Sequence, residues 1–581
     1  MQCNLEDFEG VRVKRFKDSR KGVSTTTIVG AIILIVIIIV AALYALELPP
    51  FTRPPSEALI MGTTDSVESA IDPAQAYDFF GWEIIQNTGC TLVEVEPGSS
   101  AEAEDYNPAL ATEWTTSTDL KTWTFTLRQG LLFDDGTEFN ATHVKYSFDR
   151  NMGIASPDGP QLNMEYDAII DNVEVVSKYV VKFNLKIPFG PFLGLMACQA
   201  SSIVNPEYAG GWKTTWGIDD IVEYTAGDAR ASSPMDLGPY VLTNWTRVAG
   251  KDHEMRLEAN PNYWNKAAGL PKTEKIIIKF YADATALRLA IEGGEVDVAF
   301  RHITATDIQD LQDDPDLEVW HGVGAAIQYM IFQEDPLSGL PQLNDPKIRR
   351  ALTACLDRPE VCETVFLNQS SPLYSMIPTG MMGRPEGVPG PFKVLGDANY
   401  TYAKSLLADL GYNETNKLKI ELWYETSGHY PSSPDQAELY KSQFEASNVT
   451  EVTLKSADWP SYRINRNEGV MHVFIYGWYP DYIDPDNYAF LYWPSWLGHN
   501  YAKYNATNNY FAMKAAYDAA RASTNETERI SLYNELEGYA VEDCPVVPIW
   551  QGAAWAVTKP NIKGVYLDIT QTWRIWLLYE E

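Results

Sequence analysis

KIIIKFYADATALRLAIEGGEVDVAF, Lys275 to Phe300, decides the fold. KIIIKFY reads as a strand, ALRLAIEGG as a helix ended by glycine, and EVDVAF as a second strand. A tight turn suffices for antiparallel neighbours, whereas strand, helix, strand in this order is how parallel strands are joined. The stretch therefore predicts an α/β fold. Outward from it the same vocabulary recurs. WTFTLRQGLLF alternates as a strand before a turn at Asp134–Gly136. Asn140 reads as the N-cap of the helix ATHVKYSFDR, in which Val144 and Phe148 share a face. PKIRRALTACLDRPEVCETVF reads as helix, turn, helix, with Ile348, Leu352 and Cys355 at helical spacing as core. TYAKSLLADLGYN is an amphipathic helix closed by Gly411, and the strand LKIELWYE and helix QAELYKSQFEAS follow. VTLKSADWPSYRINRN adds a strand and a helix, and VMHVFIYGW a further strand. Short β-branched runs alternating with helical patterns indicate mixed α and β, not a repeat array.

The last strand delivers GWYPDYIDPDNYAFLYW, Gly477–Trp493, with three aspartates and seven aromatic rings in seventeen residues and no histidine, cysteine or basic side chain. Trp478 and Asp481 fall just past the strand's carboxyl end, where open α/β sheets place ligands.

The 581 residues exceed one core and indicate two to four folding units. The 17 Trp, 33 Tyr and 21 Phe include many rings in polar surroundings, which points to a binding surface. A formal net charge of −33 excludes nucleic acid as a partner, because phosphate binding needs a positive surface. The acidic excess reads instead as the solvating surface of an exported monomer.

The N-terminus fixes the compartment. Arg12, Lys14, Arg15, Lys17, Arg20 and Lys21 precede a charge-free run from Gly22 to Leu46, long enough to cross a bilayer as a helix. Basic residues before such a span stay inside and send the rest of the chain out. The expected layout is a cytoplasmic basic segment, 1–22, a transmembrane anchor or signal helix, 23–48, and a proline-rich stalk, 49–57. RKGVSTTT resembles the archaeal pilin-like signal, which is processed after the glycine, here leaving Val23 first. Asn140, Asn244, Asn368, Asn399, Asn413, Asn448, Asn505 and Asn525 all begin Asn-x-Ser/Thr beyond the span, as in a glycosylated surface protein. Five cysteines lie on the outer side, and Cys355 with Cys362 could form a bridge or remain buried thiols.

The run YNPALATEWTTSTDLKTWTFTLRQGLLFDDGTEFNATHVKYSFDR resembles the signature region of the extracellular solute-binding proteins that serve dipeptide, oligopeptide and nickel ABC importers. DSVESAIDPAQAYD, GPYVLTNW, LEANPNYW, GGEVDVAF, DPKIRRALTACLDRPEVCETVF, AKSLLADLGY, GWYPDYIDPDNY and CPVVPIW continue the match in order over some 500 residues. The resemblance implies a periplasmic-binding-protein-like α/β fold of two hinged lobes in three domains. Domain I would comprise 58–92, 217–323 and 535–581, domain II 93–216, and domain III 324–534. It also implies that the lobes close over a ligand, peptide in the first instance, and present it to the membrane permease. The protein would then be a membrane-anchored cell-surface receptor.

In similar peptide-binding proteins the aspartate four residues after the Gly of the Gly-Trp pair accepts the ligand's α-ammonium, a position held here by Asp481. An ammonium drawn into a closed cleft needs such a carboxylate. Trp478 and Tyr482 are expected to stack on the ligand. Tyr488, Phe490 and Tyr492 are expected to be core, and Asp484 or Asp486 to cap the following helix. His429 stands in ETSGHYPSSPDQ near the place where peptide-binding relatives often carry an arginine. Tyr77, Asp78 and Trp82 lie in an early loop that faces the cleft in similar proteins. DYIDPDN lacks the glycine and terminal glutamate of an EF-hand loop, the seven histidines show no metal-ligand pairing, and no HExxH, GxSxG or P-loop occurs. No catalytic residue, metal or cofactor is therefore assigned. An oligosaccharide receptor on the same fold, then a secreted hydrolase, are the alternative readings.

Overall fold

The computed structural model describes residues 58–581 apart from 68–70, 99–105, 154–165, 207–235, 335–338, 493–501, 503–507, 570–571 and positions 302, 386, 428 and 568. All described residues belong to one compact unit, Glu57–Glu581. The basic segment, membrane helix and stalk expected over 1–57 lie outside them. Among the described residues no helix is long and apolar enough to cross a membrane.

One sheet of eleven strands organises this unit: β1 (Leu59–Thr63), β2 (Tyr240–Val248), β3 (Lys251–Ala259), β4 (Lys275–Phe280), β5 (Val298–Phe300), β6 (Glu318–Phe332), β7 (Ser370–Pro372), β8 (Leu418–Glu425), β9 (Thr450–Ala457), β10 (Val473–Trp478) and β11 (Val546–Thr558). Their order is β9-β8-β10-β6-β11-β5-β1-β4-β3-β2, with β7 added on β11. The stretch Lys275–Phe300 does form parallel strands, but β4 and β5 are not neighbours. Both pair with β1, which lies between them. The helix joining them, Ala284–Glu292, starts where the Asp283 side chain accepts the Ala286 amide and stops at Gly293. It buries Leu287, Ala290 and Ile291 on one face.

A second parallel set, β10-β8-β9, occupies the other half of the sheet. Between the two sets run β6 and β11, antiparallel from the Glu318–Thr558 pair to the Ile331–Val546 pair. The fifteen residues of β6 extend roughly 50 Å at the usual strand rise. Their pairing breaks register between Val323 and Ile327 and again between Gln328 and Tyr329. Such irregularities bend a strand and raise its local twist, so the ribbon joining the two halves is bent where it passes from one to the other.

A four-stranded antiparallel sheet lies outside this path, in the order 111–116, 122–127, 180–185, 170–177. Trp123, Phe125 and Leu127 alternate into its core as the sequence predicts. The helix Ala141–Gly153 buries Val144 and Phe148 against it, with Phe148 edge-on to Phe183 at 4.9 Å. Arg150 of this helix pairs with Asp72, both buried, which fastens the small sheet to the loop after β1. In the other half Ile348, Leu352 and Cys355 are buried together with Tyr488, Phe490 and Tyr492, as expected of core. Cys90, Cys198, Cys355, Cys362 and Cys544 are all free thiols, so the bridge left open at Cys355 and Cys362 is not made.

Candidate ligand-binding site

The loop after β10 leaves the sheet at its carboxyl edge, and its three aspartates meet three different fates. Asp484 takes Arg529 in a two-pronged pair, Nη2 at 2.5 Å and Nη1 at 2.9 Å. It also accepts the Asp486 amide at 2.8 Å, but the short helix Asp486–Ala489 has Pro485 at its N-cap and no side-chain cap bond, so Asp484 is an ion-pair partner and not the cap expected of it. Asp486 lies 3.1 Å from Arg521 Nε and accepts the Tyr482 hydroxyl at 2.6 Å; it is an ion-pair partner, not the cap expected of it.

Asp481 is different. It is only 5% exposed, yet no cationic side chain among the described residues offsets its charge. Burial pushes its carboxyl up to about 7, against the opposing influence of the Tyr77 hydroxyl and, less, of the Asn487 side chain. Asn487, fully buried, holds the loop from behind: its Oδ1 accepts both the Asp481 backbone amide at 2.8 Å and the Trp478 indole at 3.0 Å. Trp478 is half-buried, its ring edge-on to Phe490 at 5.1 Å.

The early loop contributes unequally. Tyr77 reaches Asp481. Trp82 braces Tyr77, with their rings 5.7 Å apart at 78° and the indole donating to Ala76 O at 2.7 Å. Asp78 accepts the Gly81 amide at 2.6 Å and caps the helix Phe79–Thr88, a duty that the local sequence could have signalled.

Tyr482 is 3% exposed and packs with the apolar cluster of the other half, against Gly194. His429 lies further along the carboxyl edge, exposed and stacked on Trp459 at 3.7 Å. Its loop is folded around the buried Glu425, which accepts the amides of Ser427 and Tyr430 at 2.7 and 2.8 Å. Packing lowers the imidazole below its usual range; Arg463 pushes the same way and Glu425 opposes. Tyr430 next to it presses on Gly477, where a Cβ would stand 2.7 Å from the ring. The structure thus brings Tyr77, Asp481, Trp478 and Asn487 together and leaves His429 on the same edge, one aromatic residue away from the β10 terminus.

The two halves touch on either side of Asp481. Phe79 meets Tyr479 at 5.1 Å and carries the Arg301 guanidinium at 3.9 Å on its ring. Arg301 is held in turn by Asp65 and Glu83. On the other flank the Tyr106 hydroxyl donates to Ile483 O at 3.4 Å, and the Gly190 amide to Arg521 O at 2.6 Å. Asp481 is therefore buried where the two halves meet. Asn487, Arg521, Arg529, Tyr106 and Gly190 were not singled out from sequence, since nothing local marks a partner that distant.

The family model for the bacterial extracellular solute-binding proteins, family 5, matches residues 105–498. The chain belongs to this family. Its members bind solutes and are not enzymes. Di/tripeptide-binding protein 2 of Pseudomonas aeruginosa is 26% identical over 502 residues, 81% of this chain and 85% of that one. Among solved structures, HbpA2 from Haemophilus parasuis aligns with a TM-score of 0.73 at 22% identity, covering 90% of this chain and 100% of that one. The periplasmic binding protein DppA from Helicobacter pylori, in complex with the peptide STSA, aligns with a TM-score of 0.71 at 21% identity, covering 90% and 98%. These likenesses establish the α/β solute-binding-protein fold that the resemblance implied, and as a family 5 member the chain is an extracellular or periplasmic binding protein.

Proposed function

We propose that this family 5 protein is the substrate-binding component of an ABC importer that captures peptides by their free amino end and delivers them to the membrane permease. The observation that carries the reading is the division among the three loop aspartates. Two are neutralised by arginines, while Asp481 is buried without a cation among the described residues. A ligand ammonium supplies the missing charge, and it does so only when the halves are together, which is the differential affinity that closure requires. Tyr77 and Asn487 orient the carboxylate, Trp478 offers a face to the peptide backbone, Tyr482 seals the contact with the other half, and His429 meets the distal end of the peptide. Trp82 and Asp78 support Tyr77. The peptide-binding relative and the peptide-bound homologous structure favour the same cargo.

In this reading the protein is a monomer, held at the cell surface by the apolar segment 23–48 with its body outside, and the domains run as set out from the sequence. The bent ribbon of β6 and β11 supports a hinge between domain I and domain III. Native mass spectrometry of the body from Pro49 onward tests the cargo. Co-purified peptides with free amino ends support the reading, and a co-purified oligosaccharide, or hydrolysis of added peptide, overturns it.

A further inference from the structure

The eight Asn-x-Ser/Thr sites are not equivalent once folded. Asn505 lies outside the described residues. Asn140 and Asn399 are half-buried and use their amide nitrogens on the carbonyls of Glu138, at 3.1 Å, and Leu395, at 3.3 Å. Asn244 is half-buried within β2. Asn368 and Asn448 are exposed, but the hydroxyl residues of their motifs, Ser370 and Thr450, are buried. Two motifs remain exposed at both the asparagine and the hydroxyl residue, Asn413 with Thr415 and Asn525 with Thr527. Asn525 already caps a helix of eighteen residues through its Oδ1.

Asn413 lies in a turn between elements and not at a helix terminus. Its Oδ1 accepts the amide and the hydroxyl of Thr415, at 2.9 and 2.7 Å, and the Asn416 amide at 3.0 Å, so the motif's hydroxyl already stands beside the amide group that carries Nδ2. Among the described residues that nitrogen donates to Gly411 O, at 3.4 Å. The turn joins the helix Tyr400–Ala408 to the amino end of β8, while Asp481 follows the carboxyl end of β10, a strand parallel to β8. The eight residues of β8, roughly 26 Å at the usual rise, separate the two edges. A bulky group at Asn413 leaves the ligand loop and the contacts between the halves untouched.

We propose that Asn413 is an N-glycosylation site of the folded, exported protein. The donor is a sugar activated as the phosphate or pyrophosphate ester of a membrane lipid. Nδ2 of Asn413 forms a bond to the anomeric carbon, the bond from that carbon to the phosphate oxygen breaks, the lipid phosphate leaves with the electron pair, and the Nδ2 proton passes to a base on the transferase. The inference rests on the outward placement of the body in the proposed function, and not on peptide as cargo.

The test is mass spectrometry of protease digests of the full-length protein purified from the cells that make it. The Asn413 peptide is expected to carry a hexose-containing mass that Asn413→Gln and Thr415→Ala each remove and Thr415→Ser retains. The Asn140 and Asn399 peptides are expected to be unmodified. An unmodified Asn413 peptide, or a mass that survives Asn413→Gln, overturns the proposal. Labelling of intact cells with an impermeant amine reagent separates the glycan from the outward placement of the body. A labelled body with a bare Asn413 defeats the glycan alone, and an unlabelled body defeats the outward placement as well.

Discussion

The backbone amide of Gly190 donates to the carbonyl of Arg521 across 2.6 Å, and a Cβ at Gly190 would stand 2.0 Å from the carbonyl oxygen of Ser523. The contact joins the two halves, and it is wired to the ligand loop. Arg521 pairs with Asp486, five residues after Asp481, and its guanidinium covers the Phe189 ring at 4.8 Å. Backbone has nowhere to move at such a distance, so Gly190→Ala is expected to oppose closure without touching the ligand. Peptide affinity should fall about tenfold or more, the equivalent of about 1.4 kcal/mol. The melting temperature of the empty protein should stay where it is, and small-angle scattering should show no ligand-induced contraction.

Protonation of Asp481 links binding to pH. With the halves together and no ligand, its carboxyl sits at about 7, above the ordinary 3.8, because burial disfavours the charge. Pairing with an ammonium favours the charged form and lowers that value, so binding between pH 4 and 7 releases a proton. Affinity should rise with pH over that window and level off above it. Calorimetry at pH 6 in buffers of different ionisation enthalpy should detect the release, and Asp481→Asn should abolish it.

The same shift gives a stability prediction of definite sign. A carboxyl whose folded value is raised contributes stability that is full below about 4 and is lost as pH rises through about 7. At pH 8 the ionised Asp481 is then a cost to the empty protein, and Asp481→Asn should unfold at higher denaturant concentration than the parent. At pH 4 the two should coincide.

Arg529 should behave in the opposite way. It is buried with Asp484, and removing one member of a buried pair leaves the other charge stranded. Arg529→Met is expected to destabilise the protein by about 3–5 kcal/mol in urea titrations. Restoring neutrality with Asp484→Asn in the same chain should recover a good part of that loss.

Asn487 is expected to act on binding by positioning. Asn487→Ala removes the acceptor that holds both the Trp478 indole and the Asp481 amide, and should weaken peptide binding about tenfold, a typical net worth for such bonds. Asn487→Asp keeps an acceptor but sets a second carboxylate beside Asp481. The pH midpoint of binding should therefore move upward, a response that loss of packing alone would not produce.

Local chemistry made the elements legible. Alternation marked the strand Thr122–Leu127, and the Asp283 cap with the Gly293 stop marked the helix of the opening stretch. The insertion of β1 between β4 and β5 left no local trace, because a partner more than 200 residues upstream imposes no periodicity on either strand. At the site, the place of Asp481 beyond a strand's carboxyl end followed from the pattern. The arginines that neutralise Asp484 and Asp486 did not, since an ion pair across 35 to 45 residues is set by packing alone. Asp78, read from the sequence as a ligand contact, also caps the helix Phe79–Thr88, a role its place just before that helix signals equally well.

Titration calorimetry decides whether the ligand brings the cation that Asp481 lacks, with matched pools of short peptides, one with free amino ends and one acetylated at the amino terminus, against the parent and Asp481→Asn. Acetylation and the substitution are each expected to cost about a hundredfold or more in affinity, in line with about 3–5 kcal/mol for an unpaired buried charge, and together little more than either alone. Equal affinity for free and acetylated peptides in the parent would contradict it.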